Sequence, residues 1–408
     1  MRLRLLPAFL LLLATSGHAE TSLPGGVQFN GFGSIGLTRS SSRQAAFVRD
    51  LGQAKGSRGD WRSETDSLLG LQASWQVNPQ LALVAQGISR YRVGNNYNPE
   101  LMSAFVRYEP DARATLRVGR MPTDFYLFSD SRHIGYSYLT VRPSGDFFGA
   151  LPFAHFDGTD LQLAHPLGDS LLRGKLYWGY LDEELPLAER RWPLRGSQLS
   201  GGNLSLQQGP WTLRLSTTLL HFRHNLPIAE ISDNLRQLAP LFPAAGTAAE
   251  RLEVAGAHSR FHSLGVVYDD GPLQFQAMLS RATHSTSAFQ NWQAGYLQVG
   301  YRRGTVTPFI GHSWIRSNRR TLESGLPSGV APAFDLLNAG VASVLADSHS
   351  AQQTTTLGLR WDLASQFALK IQYDMIRGKP DSIFPYRDET RAWNGRTQVL
   401  SAVLDFIF

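Results

Sequence analysis

A strict alternation of apolar and polar residues is the strongest pattern in this chain, and it is clearest in residues 397–408, TQVLSAVLDFIF. Successive side chains of a β-strand point to opposite faces, so a period of two predicts a strand. One face of this strand carries Leu400, Leu404, Phe406 and Phe408. An aromatic closing strand with an apolar outer face is typical of a membrane-spanning barrel, although a core strand of a soluble sandwich would show a similar pattern.

The same alternation recurs through the whole chain and predicts sixteen strands. Most of these segments have roughly the 9–11 residues that a tilted strand needs to cross a bilayer. The fold class expected is therefore all-β, a transmembrane antiparallel β-barrel of sixteen strands. The predicted strands are Val27–Ser40, Ser67–Val77, Leu81–Arg90, Leu101–Tyr108, Ala112–Arg120, Phe156–His165, Leu171–Tyr180, Gln198–Gln208, Trp211–His224, Arg260–Tyr268, Leu273–Thr283, Asn291–Arg302, Thr305–Arg316, Gln352–Leu363, Phe367–Arg377 and Thr397–Phe408.

The connections between these strands alternate between short and long. Tight turns rich in Gly, Pro, Asn and Asp, such as 78–80, 209–210 and 303–304, alternate with long connections such as 121–155 and 317–351. An even-stranded barrel with both chain ends on one side of the membrane produces this sorting of loops. A soluble domain has no comparable reason to sort its loops by length.

Aromatic residues cluster beside the short turns and share the apolar, outward-facing parity. Trp and Tyr favour the boundary between membrane and water because their rings are amphipathic. We therefore predict an interface girdle at the end of the barrel that carries the short turns. Its members are Trp75, Tyr108, Trp211, Tyr268, Tyr301, Trp361, Phe367 and Phe408.

Residues 1–19 have the features of a secretory signal peptide. Arg2 and Arg4 precede the apolar stretch 5–14, and small residues at 17–19 fit a cleavage site. Residues 20–408 are then expected to form a single barrel, since no linker or change in composition marks a domain boundary. The chain contains no cysteine, so an exported protein of this kind is stabilised without disulfides.

Composition and motifs argue against several other classes of protein. Loss of Arg2 and Arg4 with the signal peptide leaves 37 Lys and Arg against 33 Asp and Glu, a net charge of about +4 that is mild for this length, and the basic residues form no stripe of the kind that binds nucleic acid. There is no glycine-rich phosphate loop and no metal-ligand spacing. No cofactor and no metal are therefore expected.

The segment Arg117–Phe148, RVGRMPTDFYLFSDSRHIGYSYLTVRPSGDFF, resembles the Gram-negative bacterial outer-membrane porin superfamily, as found in proteobacterial porin-like proteins. The dipeptides at 119–120, 129–130, 135–136 and 142–143 carry the likeness. The resemblance implies that the third loop, approximately 121–155, folds into the lumen. It also implies a homotrimer in the outer membrane, inserted by the barrel-assembly machinery through the C-terminal strand and in contact with lipid and lipopolysaccharide.

The charged residues with inward parity predict a constriction with a transverse field. Arginines on adjacent strands would face carboxylates of the third loop, and fixed charges in a pore bias its ion selectivity. The residues proposed for this constriction are Arg90, Arg107, Arg117, Asp124, Asp130, Arg142 and Asp146; further lumen candidates are Arg173, Lys175 and Arg214. Arg120 has outward parity at the rim, where it could pair with lipopolysaccharide phosphates.

Three functions remain open from the sequence. The first is a porin for passive diffusion of small hydrophilic solutes and ions, and the second is a channel specific for organic anions, sugars or amino acids. The third is an outer-membrane barrel enzyme, for which the dispersed histidines give little support. The apolar spacing within Leu226–Phe242 and Phe334–Leu345 further predicts helical segments in two outer loops.

Overall fold

The computed structural model describes residues 21–23, 26–53, 55–92, 94–149, 153–187, 190–318, 321–379 and 393–408. The predicted signal peptide, residues 1–19, lies outside the described residues.

Sixteen antiparallel strands form one closed barrel. Closure is direct, since the last strand pairs with the first and aligns Ile407 with Phe32. The predicted fold class and all sixteen strands are confirmed, with ends that differ by up to a few residues. The strands are β1 (Val27–Ser40), β2 (Leu68–Asn78), β3 (Leu81–Arg90), β4 (Glu100–Asp111), β5 (Ala114–Pro122), β6 (His155–Leu167), β7 (Ser170–Tyr180), β8 (Gln198–Gln208), β9 (Trp211–His221), β10 (His258–Asp270), β11 (Leu273–His284), β12 (Trp292–Tyr301), β13 (Val306–Ser317), β14 (Ala351–Ala364), β15 (Phe367–Gly378) and β16 (Arg396–Ile407).

Short additional strands lie at both ends of the barrel. Thr21–Leu23 pairs with the start of β1, and Trp61–Arg62 pairs with its other end. A small hairpin, Glu184–Leu187 with Arg190–Pro193, stands in the loop after β7. These short elements do not interrupt the alternation of outward and inward side chains along the sixteen strands.

The outer loops carry four helices, α1 (Gly145–Phe148), α2 (Ala229–Leu238), α3 (Pro243–Arg251) and α4 (Pro332–Asp347), and a 3₁₀ turn at Gly135–Ser137. The predicted helical segments correspond to α2 and α4. Helix α3 was not predicted from the sequence; it consists largely of small residues, begins at a proline and packs against α2. Together these loops bury an apolar cluster over one side of the barrel mouth.

The outer wall is apolar. Outward-facing leucines on different strands are about half exposed, with Leu176 at 67%, whereas their sequence neighbours point inward and are largely polar or charged. A closed sheet with an apolar exterior satisfies its backbone internally, which is what a lipid bilayer demands. Among the described residues, no helix is long and apolar enough to cross a membrane.

The C-terminal aromatic residues pack on glycines of β1. The ring of Phe408 lies over Gly31, and that of Phe406 lies over Gly33. A side chain at either glycine would occupy the space of the ring. The backbone of Phe408 also exchanges hydrogen bonds of 2.8 and 3.0 Å with Gly31, so the closing strand is held by both backbone and ring contacts.

Candidate functional site: the lumen and loop three

The connection between β5 and β6, which we call loop three (residues 123–154), folds into the lumen and contacts two separate parts of the wall, at β10 and at β15. On one side, Ser263 of β10 donates a 3.1 Å hydrogen bond to the carbonyl of Phe125. On the other, the amide of Val141 donates to Gln372 of β15 at 2.8 Å. The loop therefore crosses the barrel interior, as expected from the sequence.

An aromatic cluster anchors the loop to one side of the lumen. Tyr126 packs edge-on against Phe147 and Phe148, with ring centroids 5.1 and 4.9 Å away. Phe147 in turn lies 5.2 Å from the ring of Tyr296 on β12. Such edge-to-face pairs add to the free energy of burial. The loop is consequently a packed part of the barrel interior.

The first charged cluster centres on Asp124 at the start of loop three. Its carboxylate is 2.7 Å from Nζ of Lys175 on β7 and 2.6 Å from Nη2 of Arg214 on β9. Burial by itself would raise the pKa of Asp124, but Lys175 and then Arg214 outweigh burial and lower that pKa to about 2. Asp124 is therefore an anion at neutral pH.

Asp160 of β6 belongs to the same cluster and was not predicted from the sequence. It aligns with Arg117 across the strand pair, and the two side chains form a bidentate ion pair. Lys175 also approaches Asp160 to 3.6 Å. The inward parity of Asp160 was visible in the sequence and could have suggested a lumen position. Its pairing with Arg117 depends on the register between β5 and β6, which only the structure reveals.

A second charged cluster lies near β1 and β16. Arg142 of loop three is 3.4 Å from Asp66 and hydrogen-bonds to Ser401. Arg49, from the first outer loop, is also 3.4 Å from Asp66. The guanidinium of Arg142 stacks over Phe47, 4.9 Å from the ring centroid. Sequence analysis proposed Arg142 but missed Asp66 and Arg49.

A buried ion pair in the wall supports the middle of loop three. Lys370 of β15 and Asp405 of β16 approach to 2.8 Å with no solvent exposure. The same Nζ donates to the carbonyl of Gly135 at 2.7 Å. Gly135 lies so close to Asp405 and Ser34 that a Cβ at this position would collide with both. Position 135 therefore requires glycine, because there is no room for a side chain between loop three and the wall.

Three of the wall arginines that were expected to face the aspartates of loop three have other partners. Arg90 of β3 pairs with Asp50 at 3.0 Å, and Arg117 pairs with Asp160. Arg107 is half-exposed, 3.7 Å from Glu109. These arginines are neutralised by carboxylates outside loop three. The loop aspartate that does meet wall cations, Asp124, meets Lys175 and Arg214 instead.

The other loop aspartates have different surroundings. Asp130 is exposed and forms no ion pair with any described residue. Asp146 is buried at the start of α1 and accepts hydrogen bonds from Ser313 at 2.7 Å and Gln352 at 2.5 Å. Burial raises the pKa of Asp146, and the hydrogen bond from Ser313 opposes that rise only in part.

A polar cavity of about 70 Å³ lies between loop three, the first outer loop and the wall from β11 to β15. Both charge signs line it, with Arg49 and Arg142 among the cations and Asp146 and Asp374 among the anions. Small polar solutes are the molecules that such a lining can accommodate.

The remaining predicted positions lie away from the constriction. Arg173 is exposed on the inner wall and donates to Gln207 at 3.0 Å. Arg120 faces outward and pairs with Asp157 and Asp182 at 2.7 and 2.9 Å. The predicted girdle residues occupy outward positions beside the short turns; the rings of Trp211 and Tyr268 are 4.7 Å apart. Among the described residues, no group of three or more His, Asp or Glu could hold a metal ion.

Comparison with known proteins identifies this architecture. No protein-family model matches the chain, and no curated protein matches it. Solved structures do match over nearly the whole length, at low sequence identity.

Three of these structures are outer-membrane barrels. They are an anion-selective porin from Comamonas acidovorans (14% identity, TM-score 0.54, 94% of this chain and 99% of that chain), Salmonella typhi OmpF in complex with daunomycin (12%, 0.56, 94% and 98%) and a trimer form of OmpT, an outer membrane protein of Vibrio cholerae (10%, 0.54, 94% and 100%).

The chain has the fold of the Gram-negative outer-membrane porins. Its apolar exterior together with this fold is that of a barrel whose strands cross a membrane. The end with the short turns corresponds to the periplasmic side of such barrels, and the end with the long loops to the outside.

Proposed function

We propose that the protein is an outer-membrane channel through which small hydrophilic solutes and ions diffuse passively. The observation that carries this proposal is a closed sixteen-stranded barrel with polar inner positions, narrowed by loop three. A barrel of this size encloses an aqueous channel because its side chains cannot fill the interior. The similar solved structures support a channel role in general terms.

Ion selectivity is expected to be weak. Most charged side chains of the lumen form ion pairs of opposite sign, such as Lys175 with Asp124 and Arg117 with Asp160. Paired charges contribute little net field along the pore axis. The exposed Arg173 and the exposed Asp130 have opposite charges, so they leave no large excess of either sign.

A substrate-specific channel is a second candidate, which the packing of loop three favours. Contacts with β10, β12, β15 and β16 restrict the open cross-section, and the cavity beside the loop is small. Organic anions, sugars and amino acids are the solute classes with the required polarity. A catalytic role has weaker support: Ser259 hydrogen-bonds to His284 at 2.6 Å, but this serine is fully buried and cannot reach a substrate.

We also propose a homotrimer, a cleaved signal peptide at 1–19, and assembly through the C-terminal strand. A trimer form among the similar structures supports the oligomeric state. Cross-linking and mass measurement of the purified barrel in detergent test it, and N-terminal sequencing of protein from outer membranes tests the cleavage site.

The test of the channel is the planar-bilayer current of refolded residues 20–408 under a KCl gradient. Large stepwise conductance with a small reversal potential is expected from an open pore of weak selectivity. If a folded, heat-modifiable barrel passes no current, the passive channel is wrong. Current that appears only with one solute class, or is blocked by it, would establish the specific channel instead.

A further inference from the structure

Three arginines face outward on neighbouring strands near the outer end of the barrel. They are Arg260 on β10, Arg281 on β11 and Arg316 on β13, all exposed. The strand register places His262 beside Arg281, and Arg281 beside Gln293, which in turn aligns with Arg316. Arg281 and Arg316 thus lie in one polar row on the outer wall with His262 and Gln293, and Arg260 lies two residues from His262, toward the outer end of β10.

Nothing in the described part of the chain neutralises these arginines. None of the three forms an ion pair with a described residue, and the outward positions of β9 to β13 above the aromatic girdle hold no Asp or Glu. An unpaired arginine that faces lipid destabilises a barrel, most strongly at the bilayer midplane and least near the membrane surface. An anionic partner would offset this cost.

An apolar groove adjoins the row of arginines on the same outer wall. It has a volume of about 1070 Å³, and Arg281 and His262 are among its lining residues. Its floor contains Gly174 and Gly202, and its sides are outward leucines. The leucines that line it are Leu161, Leu163, Leu176, Leu204, Leu215, Leu264 and Leu279.

We propose that this face binds the lipid A part of lipopolysaccharide, with phosphates on Arg260, Arg281 and Arg316 and an acyl chain in the groove. Guanidinium groups bind phosphate bidentately, and such bonds are strong where water is scarce. The arginines lie on the side of the outer loops, and the leucines of the groove continue from them toward the periplasmic side. This order of a charged region and an apolar region matches a phosphorylated lipid of the outer leaflet.

A second copy of the chain fits this surface poorly. A copy would have to supply carboxylates from its own outer wall. Among the outward positions of the described barrel strands, the carboxylate closest to the outer rim is Asp157, and it is already paired with Arg120. The charge of this face is therefore complementary to a phosphorylated lipid.

The test compares the full-length folded barrel with two double variants of equal charge. R260Q/R281Q removes two of the three arginines, whereas R39Q/R396Q removes two outward arginines on β1 and β16, which are separated from β13 by at least two strands. Native mass spectrometry of the detergent-solubilised protein, titrated with purified lipid A after removal of divalent cations, gives the affinity. The heat-modified gel shift verifies folding, and replacement of a lipid-facing arginine by glutamine is not expected to impair it.

We expect R260Q/R281Q to bind lipid A at least about tenfold more weakly than the wild type, since each lost charged hydrogen bond is worth about a factor of ten. R39Q/R396Q should bind as the wild type does. A third variant, G174L, fills the groove without touching a charge, because Gly174 has open space around its Cβ position. It should also weaken binding.

Three results would overturn the proposal. The first is equal lipid A affinity in R260Q/R281Q and the wild type. The second is equally tight binding of phosphatidylglycerol, which would assign the site to anionic phospholipid in general. The third is a disulfide-linked oligomer formed by R281C in outer membranes, which would show that a second copy covers this face; the chain has no other cysteine.

Discussion

Lys175 on the barrel wall donates a 2.7 Å hydrogen bond to Asp124 at the start of loop three. Arg214 contacts the other oxygen of the same carboxylate at 2.6 Å. All three side chains are nearly buried, so the interaction is weakly screened by water. The carboxylate of Asp124 thereby links loop three to β7 and β9. We expect this contact to influence the ion selectivity and the pH response of the pore.

The substitution Asp124→Asn should loosen the loop and make the pore more selective for anions. Removal of one partner leaves Lys175 and Arg214 buried without their counter-charge, which costs about 3 kcal/mol. The reversal potential under a KCl gradient and the noise of the open channel are the measurements. Asp130→Asn is the matched control, because it removes the same charge from an exposed, unpaired position. A similar change in channel noise in both variants would contradict a specific role for the Asp124 contact.

The contact of Asp124 with Lys175 and Arg214 should stay intact down to about pH 4 and be lost near pH 2. The pKa of Asp124 is lowered in the folded protein to about 2, below the value of about 3.9 in an unfolded chain. The stabilisation is therefore present above pH 4 and is lost as the pH falls through 2. Conductance and selectivity recorded from pH 7 to pH 2 test this prediction.

The variant Asp124→Asn should lack this acidic transition.

A further expectation concerns His133 of loop three, whose pKa is far below its usual value because of burial, with the nearby Arg90 acting in the same direction. This histidine is therefore neutral near pH 6, and no transition that depends on it is expected at that pH. A transition at that pH which disappears in H133Q would contradict this expectation.

The substitution Lys370→Met should destabilise the barrel by about 3–5 kcal/mol. It leaves Asp405 buried in the wall with Ser34 as its one remaining close polar partner among the described residues. Urea unfolding of the protein in lipid vesicles measures the loss. The double variant K370M/D405N removes both charges and should recover most of the stability, since no unpaired charge remains. A double variant as unstable as K370M would show that packing, and not charge, is responsible.

Trp211 and Tyr268 should stabilise the barrel cooperatively at the periplasmic boundary. Their rings lie 4.7 Å apart on adjacent strands. A double-mutant cycle with W211A and Y268A should give a coupling free energy of about 0.5–1.5 kcal/mol. Unfolding in lipid vesicles provides the four free energies. Strictly additive effects would mean that each ring contacts lipid independently of the other.

The sequence by itself determined where the strands of the barrel wall lie and which side chains of each strand face outward. Each strand has to place apolar side chains toward lipid and polar ones toward the lumen, so membrane burial imprints a period of two on every crossing. The strand Gln198–Gln208 was predicted with its observed ends for this reason. Short turns were equally visible, because a tight reversal requires Gly, Pro, Asn or Asp.

The pairing of charges inside the barrel was decided by the tertiary structure alone. Parity showed that Arg117 points inward, but the register between β5 and β6 gave it Asp160 as a neighbour. The path of loop three likewise brought Asp124 to Lys175 and Arg214, and brought Arg142 to Asp66. Alternation fixes the face on which a side chain lies. Its partner depends on strand register and loop packing, which are set by contacts between residues distant in the sequence.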